Sequence, residues 1–317
     1  MSSNPRGAIY ALIAFGVFAS HDVVVKFLGG VYSPVQTIFF SVLLSFPLVT
    51  LMLMRDETSD TLRPRHPWWT ALRTLATVIT GFSAYYAFSV LPLAQVYAIL
   101  FAAPLIITIL SIPILGETVK LRRWLAVIVG LIGVLIVLRP GSTTLEWGHL
   151  AALAAAIGGA LASIIVRKIG QDERNVVLII YPMVANFVIM AMLLPVVYLP
   201  MPIVDFGALA LLAVLAHVAT RFMILAYKTG EAATVAPMQY SQILWAAFYG
   251  FFFFDETPDL ATAIGAAVII LSGLYILFRE HQSGHSENRP VTKTKSRAET
   301  GTHPRVSAVL EAQAKSD

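Results

Sequence analysis

The sequence predicts an all-α membrane protein of ten transmembrane helices, arranged as two inverted five-helix repeats, and three observations predict it. Of the 317 residues, 57% are apolar and 13% charged, against roughly a quarter charged in soluble domains. Apolar runs of about 20 residues, the length that crosses a bilayer core, follow one another with short polar gaps. The chain also resembles itself at a nearly constant shift.

The runs cover residues 7–28, 34–54, 68–90, 93–115, 122–138, 147–168, 175–198, 204–226, 233–254 and 260–278. Between them stand the breakers "SPVQ", "RPRHP", "LPLA", "RPGSTT", "LPMP" and "DETPD". Each run is expected to be helical, because backbone groups in hydrocarbon must find their partners within the segment. The opening "MSSNPRGAIYALIAFG" has one Arg but no small-residue cleavage site. It reads as a retained first span rather than a signal peptide.

Orientation follows from Lys and Arg in the short loops. With the N-terminus inside, Arg6, Arg55, Arg63, Arg65, Lys120, Arg122, Arg123, Arg167, Lys168, Arg174 and Lys228 are cytoplasmic, and only Lys26 and Arg139 lie outside. Both termini are therefore expected in the cytoplasm, the membrane being the bacterial inner membrane. From residue 280 to 317 the chain is polar and aperiodic, which predicts a disordered tail. Contact of its basic residues with anionic lipid is the alternative.

The repeat is specific. "AFSVLPLAQVYAILFAAPLIITILSIPILGET" (87–118) lies without gaps on "AYKTGEAATVAPMQYSQILWAAFYGFFFFDET" (226–257) at a shift of 139, and "VVVKFLG" (23–29) falls on "IIVRKIG" (164–170) at 141. This sets the first repeat at 7–141 and the second at 147–279. Five spans per copy is an odd number, so the second copy enters the membrane from the opposite side. Inverted halves around a central site are the architecture of alternating access, which predicts a secondary transporter.

Composition narrows the alternatives. With no cysteine, neither a disulfide nor a thiolate site is available. The net charge of +4 does not imply nucleic acid, because the basic residues flank the spans or lie in the tail. No nucleotide-binding Gly loop, zinc spacing or nucleophile elbow occurs, so ATP-driven transport and catalysis lack their motifs. The chain is read as no enzyme, with no cofactor and no metal. Its expected partners are a small-molecule substrate and the lipid bilayer, and a homodimer stays open.

The chain resembles the drug/metabolite transporter superfamily, in its ten-span group with two EamA repeats. The residues that carry the resemblance are "HDVVVKFLG", Arg73 early in the third span, residues 85–141 with the Pro-Leu-Ala, Gly-Glu-Thr and Arg-Pro-Gly segments, and "AYKTGEAATVAPMQYSQIL" with "FDETPD". Within that family it resembles bacterial riboflavin transporters, with S-adenosylmethionine uptake carriers close behind. The latter share an Asp-Val-x-x-Lys first span and an Ala-Thr-x-Ala-Pro ninth span. The resemblance implies metabolite transport, riboflavin uptake first, S-adenosylmethionine uptake or amino-acid or drug export as alternatives. A membrane transferase or assembly factor would need converging carboxylates or metal-spaced histidines.

Candidate substrate-binding residues are those that a bilayer accepts only for a reason. Asp22 lies roughly 6 Å past the middle of the first span by helical rise. It either lines the pathway with His21 or pairs with Lys26 four residues on. His217 and Arg221 repeat that spacing in the eighth span, Arg221 facing a cavity, snorkelling, or pairing with Glu231. Gln239, Tyr240 and Gln242 stand where the fourth span has Leu100, Phe101 and Ala103. Such differences between repeats are where an asymmetric substrate can be read. Tyr97, Tyr240 and Trp245 could wall a planar ligand, among Tyr85, Tyr86, Phe101 and Tyr249. Lys26 and Arg73 read as gating or scaffold, and Glu117 and Glu256 as caps on helix N-termini.

Overall fold

The ten apolar runs become ten helical units among the described residues, which in this computed structural model are 4–54, 62–116, 119, 121–139, 146–170, 172–229 and 235–282. They are α1 (Asn4–Gly29), α2 (Pro34–Met54), α3 (Pro67–Val90), a fourth unit split into α4 (Leu93–Leu100) and α5 (Ala103–Leu115), α6 (Leu121–Leu138), α7 (Trp147–Ile169), α8 (Asn175–Val197) and α9 (Ile203–Thr229). The ninth unit is a 3-10 segment (Ala236–Ser241) running into α10 (Gln242–Phe254), and α11 (Leu260–Gln282) is the tenth. No strand occurs among the described residues. Glu117, Glu231 and the tail beyond Gln282 lie outside them.

Five stretches, Pro5–Gly29, Leu93–Leu115, Trp147–Ile169, Val176–Val197 and Ile203–Met223, are long and apolar enough to cross a membrane, and Pro34–Pro47, Trp124–Leu138 and Leu260–Ile276 are shorter apolar helices. Leu125, Ile128, Ile132 and Leu135 of α6 are exposed at three- and four-residue spacing. Such a stripe suits acyl chains and would be a liability in water.

The two interrupted units are equivalent. Pro104 lacks the N–H that would continue a helix through Phe101 and Ala102, and Pro237 stands in the first turn of the 3-10 segment. The helices that resume, α5 at Ala103 and α10 at Gln242, begin 139 positions apart. That is the shift read from the sequence.

Helices of one repeat pack on helices of the other. The most extensive contacts are α1 with α9 and α3 with α7, followed by α6 with α11. Exchanging the repeats turns the first of these pairs into the second and maps the third onto itself, as an approximate twofold requires. The α6–α11 crossing is backbone-close: a Cβ at Gly133 would stand 2.9 Å from the carbonyl oxygen of Gly265, and one at Gly265 2.7 Å from that of Gly133. Small residues let the backbones meet where no hydrophobic effect drives helices together. Below, the end of the bundle where α1 begins is the near end, and the end where it finishes is the far end.

Candidate functional site

The polar centre of the bundle is assembled from α1, α4 and α10. His21 and Asp22, 7% and 8% exposed, enter it from α1. The imidazole Nδ1 of His21 lies 2.8 Å from Asp22 Oδ1. Tyr97 of α4 donates its hydroxyl proton to Asp22 Oδ2. Gln242 of α10, fully buried, donates from Nε2 to that same hydroxyl at 3.4 Å. One hydrogen-bonded chain thus joins both repeats.

The chain runs beside the breaks in the two equivalent units. Gln242 opens α10 just after the 3-10 segment, and Tyr97 precedes the Phe101–Ala102 interruption by one turn. Carrier sites are built at such discontinuous helices, because backbone freed from a regular helix can face a ligand only where protein or a cavity surrounds it.

Aromatic rings enclose the cluster. Phe88 meets Tyr97 edge-on at 5.4 Å, Tyr97 lies 6.0 Å from Phe101, and Phe101 meets Tyr240 edge-on at 5.1 Å. Tyr85 approaches the His21 ring edge-on at 6.4 Å. Trp245 stands apart from this run, stacked at 6.0 Å on Tyr249, whose hydroxyl is 2.9 Å from Ser20 Oγ. The structure therefore divides the expected three-ring wall: Tyr97 and Tyr240 share a run through Phe101, and Trp245 belongs to a second group against Gly16.

Other candidates fall elsewhere. Lys26 does not pair with Asp22; its Nζ is 2.7 Å from Glu256 Oε1, donates to the Leu91 carbonyl at 2.5 Å, and sits 5.2 Å from the Phe254 ring centre. The acid-first spacing on α1 loses to Glu256 because Tyr97 and His21 already occupy Asp22. Glu256, expected to cap the helix that follows it, instead accepts from the amide of Leu93 at the start of α4 at 3.0 Å. The helix that follows Glu256, α11, is capped by Asp259, which accepts from the amide of Thr262 at 2.8 Å.

His217 and Arg221 contact each other, Arg221 Nε donating to His217 Nε2 at 3.1 Å on an exposed face of α9, away from the centre. Arg73 is buried near the near end and donates to the carbonyl of Leu178 on α8. Gln239, half-buried in the 3-10 segment, stands one turn before Gln242. The reading of Glu117 as a cap lies outside the described residues.

Sequence reasoning missed the polar ties at the ends of the bundle. Tyr32 donates to Asp205 Oδ2 at 2.5 Å, Gln36 makes a two-way bond with the backbone of Leu199 at 2.7 and 2.8 Å, and Arg139 pairs with Asp259. At the near end the amide of His66 donates to Glu173 Oε1 at 2.5 Å. Each joins one repeat to the other, and alignment of the repeats was the one signal that could have suggested them. A cavity of about 120 Å³ at the far end, walled in part by Pro92, Gln95, Glu256, Asp259 and Thr262, is smaller than a metabolite-sized site needs. Among the described residues no group of three or more His, Asp or Glu side chains could hold a metal.

The chain is similar to known proteins over its whole helical part. An S-adenosylmethionine uptake transporter of Rickettsia prowazekii (strain Madrid E) is 27% identical over 286 residues, 89% of this chain and 96% of its own length. A riboflavin transporter of Rhizobium johnstonii is 27% identical over 278 residues, covering 86% of this chain and 91% of that protein. A solved crystal structure matches with a TM-score of 0.57 at 17% identity, over 85% of this chain and 95% of that one, which shows the shared fold. The model of the EamA-like transporter family matches twice, at residues 5–139 and 146–279. With two matches spanning its ten helical units, the chain belongs to the EamA-like transporter family.

Proposed function

We propose that this chain is an uptake carrier of the bacterial cytoplasmic membrane for a cationic adenosyl metabolite, S-adenosylmethionine, bound at the His21–Asp22–Tyr97–Gln242 cluster. The near end faces the cytoplasm, in keeping with the loop Lys and Arg distribution. The observation that carries the reading is a buried carboxyl group in an aromatic enclosure. Asp22 accepts from Tyr97, and its remaining lone pairs suit an ammonium or sulfonium centre. The faces of Tyr97 and Phe101 add cation–π attraction in a site shielded from water. Gln242 offers both an amide donor and an acceptor, the complement of an adenine edge.

A neutral flavin uses the rings and Gln242 but offers the acid no positive charge beyond the neighbouring His21. Riboflavin uptake, first in the sequence reading, therefore becomes the second reading, supported by the similarity to a riboflavin transporter. Competition decides between them. Labelled S-adenosylmethionine uptake into cells carrying the protein should saturate, resist excess riboflavin, and fall about 100-fold with Asp22→Asn, the equivalent of roughly 2.8 kcal/mol. Saturable riboflavin uptake that excess S-adenosylmethionine leaves untouched would reverse the assignment.

A further inference from the structure

The two ends of the bundle are tied at equivalent places. Tyr32 stands two residues before α2, and Glu173 two residues before α8, 141 positions later. Each is buried in the connection between the first and second helices of its own repeat. Each reaches the start of the third helix of the other repeat: Tyr32 bonds Asp205 in the first turn of α9, and Glu173 accepts from the amide of His66, the residue before α3. The first tie closes the far end and the second the near end.

We propose that these two ties are alternating latches, the Tyr32–Asp205 bond holding the far side shut and the Glu173–His66 bond holding the near side shut. The distinction from scaffold is structural. At the α6–α11 crossing the repeats meet through reciprocal backbone contact at Gly133 and Gly265, an arrangement that a small rotation preserves. At the two ends the repeats meet through side-chain hydrogen bonds, Tyr32–Asp205 beside Gln36–Leu199 at the far end and Glu173–His66 beside Asp172–His66 at the near end, which a rocking motion about that crossing would lengthen at one end and leave intact at the other. The buried centre lies between the two, so with both bonds formed the site is sealed from either side.

The charge pattern of each latch suits reversible use. Glu173 sits at the positive N-terminus of α3, where a carboxylate is favoured without a basic partner. Tyr32 supplies a neutral donor to Asp205, so breaking that tie separates no ion pair. The far end also holds the Lys26–Glu256 contact between α1 and the segment after α10, which the proposal leaves in place.

The chain contains no cysteine, so one introduced thiol reports alone. Ala102→Cys, 1% exposed at the break between α4 and α5, is the reporter. It is labelled in oriented membrane vesicles with a charged, membrane-impermeant thiol reagent applied to one side and no substrate present. Tyr32→Phe should raise labelling from the far side about fivefold, the population shift expected from losing one ordinary hydrogen bond, and Glu173→Met should do the same from the near side. Opening of the same side by both variants, or of neither side by either, overturns the proposal. Should Glu173→Met fail to accumulate, a short bifunctional thiol reagent joining Tyr32→Cys to Asp205→Cys serves instead. The linked protein should admit label at Ala102→Cys only from the near side, and far-side labelling refutes the latch. Because no substrate is used, a wrong substrate assignment leaves the result unchanged.

Discussion

Lys26 and Glu256 stand 2.7 Å apart with their side chains 10% and 18% exposed, one on α1 and the other just past α10. Together they also satisfy both sides of the α3–α4 joint, Lys26 the Leu91 carbonyl and Glu256 the Leu93 amide. Pro92, between them, has no N–H to contribute.

Removing one partner leaves the other charge largely buried, which costs about 3–5 kcal/mol in comparable sites. Lys26→Met and Glu256→Gln should each lower the melting temperature in detergent, and the double variant should lose less than the sum. Additive losses would show that the contact contributes no coupling.

Tyr97→Phe removes the donor to Asp22 and the acceptor for Gln242 together while keeping the ring contacts with Phe88 and Phe101. Asp22 keeps its contact with His21 but loses a buried hydrogen bond, a change of about 1–3 kcal/mol. The Michaelis constant for uptake should rise at least tenfold with membrane levels of protein maintained, measured by initial rates against quantified protein.

Arg221→Ala should leave the substrate affinity unchanged. The guanidinium is exposed on α9 and bonded to His217, so its loss falls in the range of ordinary surface changes, within about 0.5 kcal/mol. A large rise in the Michaelis constant would return Arg221 to the binding site.

Gly265→Ala should destabilise the helical pair α6–α11, since its Cβ would press on the Gly133 carbonyl at 2.7 Å. Overpacking of this kind costs about 1–3 kcal/mol. Gly207→Ala, with nothing within 4 Å of the added carbon, is the matched control and should melt as the parent does.

The scaffold was legible in the sequence because bilayer crossing imposes length and apolarity on every span, and because the repeat shift survives in residues such as Gly29 and Gly170. The candidate site was half legible: the ionisable group in "ASHDVVVK" and the Gln where the other repeat has Ala singled out Asp22 and Gln242, which the structure brings into one cluster through Tyr97. What failed were choices among partners. Asp22 had Lys26 at a good helical spacing, yet the hydroxyl of Tyr97, 75 positions away, holds it. Arg221 showed no local acid, which reads equally as a ligand site or as an exposed face. Helical periodicity gives the angular spacing of side chains on one helix, but the neighbour each side chain meets is set by how the two repeats pack.

The unequal repeats carry a consequence for ancestry. Where α1 has His21 and Asp22, α7 has Ala162 and Ser163, and where α10 has Gln242, α5 has Ala103. A dimer of two identical half-length chains inserted in opposite orientations would write every such residue twice. It would set two aspartates across the symmetry axis, each repelling the other, or none at all. A carboxyl group in one half answered by an amide in the other requires halves that mutate separately, as those of this single chain can.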